Sequence, residues 1–304
     1  MRILCTGSSG FIGRRLTARL SEDGHLVERV VRSVPRQGEA RFDLPGRTLD
    51  ASRLSGGSLE GVDAVIHLAG EPIFGARWTA TKKEAIRASR ILTGSILSTA
   101  CASLERPPAV FLTGSAIGIY GDRGEEELTE KSAAGSGFLA DVCRSWEAAA
   151  EPAAAAGIRV AALRTGVVLG PGGGSLSVQL PLFRAGLGGR LGSGRQWMSF
   201  ISLEDEVAAI LHVLGNDTIS GPVNLTAPAP VRNADFTRTL ALVVAKPGRL
   251  AVPRFAMRGL LGADLAEEML LASQRVLPRV LTDTGFVFAL AGLRETLEVA
   301  TRRG

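Results

Sequence analysis

The sequence predicts an open parallel α/β sheet with helices on both faces, followed by a smaller C-terminal region. Three observations carry this. Short apolar runs alternate with stretches of helical period through the first 165 residues, a glycine-rich turn follows the first run at residue 7, and the composition changes after Leu169.

Each element has its own signal. Arg2–Thr6 is a short apolar run, read as a buried strand. Phe11, Ile12, Leu16 and Leu20 recur at helical spacing. Leu26–Val31 reads as the second strand, and residues 33–60, rich in Gly, Pro and Ser, as less regular chain. Ala64–Leu68 is a third strand, and Thr79–Leu104 a long helix stopped by Pro107 and Pro108. Ala109–Thr113 is a fourth strand, Phe138–Ala156 an Ala-rich helix, and Ile158–Leu163 a fifth strand. Past Leu169 come the loops Gly170–Gly174 and Gly188–Gly194, then Pro222, Pro228 and Pro230 among helical segments. The expected division is residues 1–170 as a nucleotide-binding domain and 171–304 as a mainly substrate-binding region. Late strands near 195–225 return to the first sheet.

The bulk numbers exclude several classes. The chain has 304 residues, 45% of them hydrophobic, with a net charge of +5 from 35 basic and 30 acidic side chains. The basic residues are scattered, lysines occur only at 82, 83, 131 and 246, and aromatics are 5%, so no basic stripe for nucleic acid forms. Cys5, Cys101 and Cys143 are far apart and odd in number, which suggests neither a zinc site nor a disulfide framework. No metal is expected. No apolar run reaches the roughly 18 residues of a membrane span, and the apolar N-terminus stops at Gly7, too soon for a signal peptide. The expected location is the cytoplasm.

The loop Gly7-Ser8-Ser9-Gly10-Phe11-Ile12-Gly13 lies between strand and helix. Gly7 permits the tight turn, Gly10 lets backbone approach a pyrophosphate, and Gly13 allows close helix–strand packing. The helix start then offers free N–H groups to the anion, as in a Rossmann-type dinucleotide site. An NAD site places an acid about 20 residues on, at the end of the second strand. Here that end reads Val30-Val31-Arg32-Ser33. Arg32, with Arg36 nearby, suits a 2′-phosphate, so NADP is favoured over NAD.

With these residues in hand, the chain resembles the extended short-chain dehydrogenase/reductases, which include sugar-nucleotide epimerases and dehydratases. The glycine motif matches. Val65–Gly70 resembles the strand end that lines the cofactor there, which implies contacts from Leu68, Ala69 and Gly70. Asp43 and Leu44 sit where that group sets an Asp–apolar pair against adenine, and Gly118–Gly121 resembles its "VYG" segment. A narrower similarity runs through Arg77–Thr79, Ser89-Arg90, Gly137–Ala140, Trp146-Glu147, Arg164–Leu169, Gly192–Ser199, Gly221–Thr226 and Ser273–Pro278. It is to the atypical "epimerase family" subgroup, whose reaction is mostly unassigned. It implies a cofactor contact at Val167.

The general acid pair of typical members, Tyr-x-x-x-Lys, is missing. The helix expected to carry it reads Gly137-Phe138-Leu139-Ala140-Asp141-Val142-Cys143, and the usual Ser/Thr falls at Ala116. The single tyrosine, Tyr120, is then the first candidate proton donor, with Ser115 as a partner to a substrate carbonyl. Arg90 could stabilise an oxyanion. Trp78, Lys82 and Arg90, with Arg195 and Trp197 after the later Gly loop, make a polar–aromatic set suited to a flat or anionic substrate. The expected function is an NADP-dependent oxidoreductase or epimerase on a small molecule. The alternative is an inactive NADP(H)-binding sensor or scaffold. The resemblance also implies a homodimer through helices 79–104 and 138–156.

Overall fold

The computed structural model describes residues 1–302. The chain opens with β1 (Arg2–Thr6), α1 (Phe11–Glu22), β2 (Leu26–Val31), β3 (Glu39–Asp43), β4 (Thr48–Asp50) and β5 (Ala64–His67). Next come α2 (Ala80–Ala102), β6 (Val110–Ala116), β7 (Glu127–Leu128), α3 (Phe138–Ala148), α4 (Glu151–Ala155), β8 (Arg159–Thr165) and β9 (Val167–Leu169). Then follow α5 (Leu176–Arg184), β10 (Gly189–Leu191), β11 (Trp197–Met198), β12 (Phe200–Ser202), α6 (Leu203–Gly215) and β13 (Gly221–Leu225). The chain continues through β14 (Val231–Arg232), α7 (Asn233–Val243), β15 (Leu250–Val252), α8 (Arg254–Leu261) and α9 (Ala263–Leu265) into a π-helical turn, Ala266–Leu271. It ends with β16 (Arg275–Val276), α10 (Arg279–Asp283) and α11 (Leu293–Ala300).

Eight strands form one sheet in the order β13-β8-β6-β5-β1-β2-β3-β4, parallel throughout except for β4 against β3. Its strands read as nearly continuous apolar runs because both faces are covered. One face packs Ile3, Cys5, Ile66, Leu112 and Leu163 against α1 and α6; the other packs Leu4, Val65 and Phe111 against α2 and α4. Leu16 and Leu20 of α1 are wholly buried, worth about 1.5–3 kcal/mol each. That buried stripe holds α1 against the sheet and so fixes the loop before it.

Three readings of the sequence are corrected. Residues 33–60 are not simply irregular: they supply β3 and β4 at the sheet edge. The helix expected over 138–156 is two helices, because Pro152 lacks an N–H and sits in the first turn of α4, where a new helix can start. Of the strands between 195 and 225, only β13 joins the large sheet, beside β8. β11 and β12 instead pair with β14 and β9 in two small sheets.

The C-terminal region is tied down by buried polar contacts. Asp205, 1% exposed, accepts from the Ser202 hydroxyl, which caps α6 by accepting from the Asp205 N–H. The Asp205 carboxylate also accepts from the N–H groups of Ala289 and Leu290 at 2.7 and 3.0 Å. Among the described residues no helix is long and apolar enough to cross a membrane, and no cluster of three His, Cys, Asp or Glu side chains could hold a metal.

Candidate cofactor and active site

The parallel sheet brings the C-terminal ends of β1, β2, β3, β5, β6 and β8 to one edge, where ligands bind in open α/β folds. At β1 the chain turns at Gly7 with φ +71°. A Cβ there would come within 2.8 Å of the Leu68 carbonyl, and one at Gly13 within 2.1 Å of the Gly7 oxygen. Both positions require glycine. Gly10 precedes α1 without any side-chain cap, so the first N–H groups of the helix point into the groove with only an anion to satisfy them. Ser9 and Gly10 are exposed, and Phe11 and Ile12 are half-buried in the first turn.

Arg32 follows β2 directly and is exposed; among the described residues its guanidinium makes no ion pair. Asp43 ends the neighbouring β3, and Leu44 after it is 46% exposed. Leu68 and Ala69 are half-buried and Gly70 is exposed after β5. This rim is braced from behind. Thr6 Oγ1 accepts from the Ala69 N–H at 3.0 Å and lies 2.8 Å from His67 Nδ1. Burial pushes the His67 imidazole down to about 4, so it stays neutral and holds the β5 end in place. The half-buried Val167 follows β8, with its N–H bonded to the Ser199 carbonyl. These residues fit a dinucleotide phosphate: backbone N–H groups, a helix start, and a free guanidinium on the adenosine side.

The edge at β6 and β8 is different in kind. Tyr120 is 0% exposed. Its hydroxyl donates to Asn224 Oδ1 at 2.7 Å and accepts from Arg164 Nη1 at 3.0 Å. Arg164 forms a two-point pair with Glu147, at 2.8 and 2.9 Å, and Ser115 Oγ donates to the same carboxylate at 2.6 Å. Asn224 in turn gives its N–H to Glu130 at 3.1 Å. Six polar side chains thus form one buried chain from Ser115 to Glu130.

The structure thus places Tyr120 and Ser115 inside this network, with their hydroxyls bonded to protein groups. A proton donor must show its hydroxyl to substrate, and Tyr120 is enclosed, with burial pushing its phenol further up. The Ser115 hydroxyl donates to a carboxylate that is paired with Arg164. Opposite them, α3 offers only Leu139 and the buried Cys143, whose thiol burial pushes up to about 11. Gly118 lets both side chains approach closely.

Arg90, half-buried on α2, lies between the two halves. Its Nη1 donates to the carbonyls of Glu71 and Ile86 at 3.0 and 3.1 Å, and its carbon stacks 4.9 Å from the Trp146 ring. Gly70 leaves it room, since a Cβ there would fall 2.8 Å from the guanidinium carbon. Lys82 pairs with Glu71 at 2.6 Å, and that bond holds the Glu71 carboxyl below its usual range. Trp78 meets Phe138 edge-on at 5.2 Å, with Lys83 and Arg87 over the Phe138 ring. A cavity of about 250 Å³ runs between Trp78 and Leu261–Leu265.

Comparison with known proteins places this geometry. A family model described as the NAD dependent epimerase/dehydratase family matches residues 3–225, and a domain of unknown function matches residues 252–300. The chain belongs to the NAD dependent epimerase/dehydratase family. It is 43% identical to an epimerase family protein of Mycobacterium bovis over 99% of this chain and 98% of that one. It is 31% identical to the human epimerase family protein SDR39U1, whose structure was solved with NADPH; the TM-score is 0.89 and each chain is covered to 99%. A nucleoside-diphosphate sugar epimerase from Corynebacterium glutamicum is 36% identical, with a TM-score of 0.79, over 99% of this chain and 58% of that one.

The expected substrate residues fall into two groups. Trp78 and Lys82 lie at the start of α2, where Trp78 meets the start of α3, and Arg90 stands farther along α2 against Trp146. Arg195 and Trp197 form a separate cluster. Trp197 lies between Arg232 and Arg275, at 4.0 and 4.8 Å, and its Nε1 donates to Glu125. Arg232 and Trp197 hold the Glu125 carboxyl down at about 2. Among the described residues no hydrogen bond or ion pair joins the Trp78 side chain to that of Trp197.

Sequence reasoning missed the roles of Glu147, Arg164 and Asn224. All three lie inside segments that resembled the subgroup, so their type and place were visible without their partners. Glu268 gave no signal at all: its carboxylate accepts from the Phe138 and Leu139 N–H groups at 2.9 and 2.8 Å and so caps α3. Glu206 was also missed. It is fully buried beneath Thr165, and burial pushes its carboxyl up to about 8.

Proposed function

We propose that the chain binds NADP(H) at the β1–α1 groove and transfers hydride between it and a small substrate lying against α2 and α3. The observation that carries the cofactor half is Arg32, a free guanidinium at the end of β2, beside a helix start that no side chain caps. A 2′-phosphate satisfies it, and an unphosphorylated ribose does not. The NADPH in the structure of the human relative supports the same cofactor.

Calorimetric titration of cofactor-free protein with NADPH and NADH tests this. NADPH is expected to bind more tightly, and Arg32→Ala to weaken NADPH by about tenfold or more while leaving NADH unchanged. Equal weakening of both sinks the 2′-phosphate argument, and failure of either cofactor to bind sinks the reading. The sealed state of Tyr120 and Ser115 favours a second reading, an NADP(H)-binding protein without turnover. It predicts cofactor binding with no oxidation of NADPH by any acceptor.

A further inference from the structure

A half-buried cation with no carboxylate partner is costly to hold, and its presence calls for a negative charge that comes from elsewhere. Arg90 is such a group. Burial pulls its guanidinium down from the usual value. Among the described residues it makes no ion pair, its contacts being two carbonyls, the Ser89 hydroxyl and the Trp146 face. The nearest carboxylate, Glu71, is turned to Lys82. The side of Arg90 carrying Nε and Nη2 faces the space that Gly70 leaves open at the cofactor rim.

The same neighbourhood offers no proton. Tyr120 is enclosed and Ser115 gives its proton to Glu147. Leu139 is a hydrocarbon, and Cys143 is a buried thiol held up at about 11. Glu206, its carboxyl raised to about 8 by burial, is 0% exposed, and its second oxygen is buried without a partner. Lys82 stands eight residues before Arg90 on α2, about 12 Å along the axis, and is engaged by Glu71.

Resting on the proposed NADP(H) reading, we infer that Arg90 stabilises the negative charge delivered by hydride transfer, and that the substrate is a planar conjugated two-electron acceptor, an isoalloxazine or a quinone. Hydride added to an isolated aldehyde or ketone leaves an alkoxide, which needs a proton during the step. A conjugated acceptor does not. The C4–H bond of the dihydronicotinamide breaks with its electron pair, and the hydride forms a bond to the acceptor, N5 of an isoalloxazine or one oxygen of a quinone. The electrons displaced spread over the ring to its far carbonyl, and NADP⁺ remains. The anionic product takes its proton from water afterwards. A fixed guanidinium at that charge is the contribution required. Trp78 and Phe138, meeting edge-on, with Lys83 and Arg87 over the Phe138 ring, supply aromatic faces lined by cations beside that space.

The test is NADPH oxidation by the full chain with two acceptor arms, FMN and a water-soluble naphthoquinone, against a panel of aldehydes and ketones. Turnover of either conjugated acceptor, with none of the carbonyl panel, is expected, and the arm that responds identifies the ring system. Deuterium at C4 of NADPH should slow the step, whereas D₂O should leave it near unity. Arg90→Met should lower kcat by about a hundredfold and NADPH affinity by less than about threefold. Reduction of a ketone with a solvent isotope effect overturns the inference, as does tight NADPH binding with neither acceptor reduced. An Arg90→Met variant that loses NADPH affinity in step with kcat also overturns it, by making Arg90 a cofactor ligand. Absence of NADPH binding to the wild-type chain would instead sink the reading on which the inference rests.

Discussion

The two ends of one sheet edge are built on opposite plans. At β1 and β2 the groups are left free: an uncapped helix, two exposed loop residues and an unpaired guanidinium. At β6 and β8 every polar side chain from Ser115 to Asn224 has found an internal partner. Free donors bind ligands, and satisfied ones hold shape. One end of the edge thus leaves its polar groups for a ligand, and the other spends them on the fold.

That contrast can be broken at either end. The largest effect is expected from Gly13→Ala, whose Cβ would stand 2.1 Å from the Gly7 oxygen. NADPH binding should fall below detection by calorimetry, with the circular dichroism of the folded chain retained. At the other end, Arg164→Met strands the Glu147 carboxylate, which is 19% exposed, and leaves the Tyr120 hydroxyl without its donor. A loss of about 3–5 kcal/mol in urea unfolding is expected, with NADPH affinity in the surviving folded fraction unchanged.

A smaller effect follows from Glu206. Its folded carboxyl is raised to about 8 from the ordinary 4.5, so the folded state holds a proton that the unfolded state releases between those values. Stability from this group is full below about pH 4.5 and falls as pH rises toward 8, by up to about 1.4 kcal/mol per pH unit. Glu206→Gln should flatten that fall in melting curves from pH 5 to 8, and an unchanged slope would show that Glu206 ionises freely. Smallest is Tyr120→Phe. It removes two buried hydrogen bonds, about 2 kcal/mol, and should leave any NADPH-dependent turnover within about twofold. A loss of turnover well beyond the stability change would restore Tyr120 as a catalytic group.

The cofactor end was legible because its chemistry is backbone chemistry. Glycines at 7, 10 and 13 and an arginine after the second strand are read directly from spacing, and sheet alternation follows from apolar period. The closed end was not. Tyr120 read as a donor because a lone tyrosine beyond a strand looks exposed in one dimension. Only the register that places Arg164 opposite Ser115, and Asn224 opposite Arg164, reveals its partners. Glu268 lies 130 residues from the helix it caps, a separation that no local pattern encodes.

That same separation sets an order of events during synthesis. The glycine loop and the second strand leave the ribosome first, with β1, α1 and β5 all within the first 67 residues. The start of α3 waits for Glu268, and Asp205 waits for Ala289 and Leu290. At about 5–20 residues per second, α3 stands uncapped for roughly 6–26 s while those 130 residues are made. The nascent chain therefore passes through a stage in which the glycine loop has been made and the start of α3 is still uncapped.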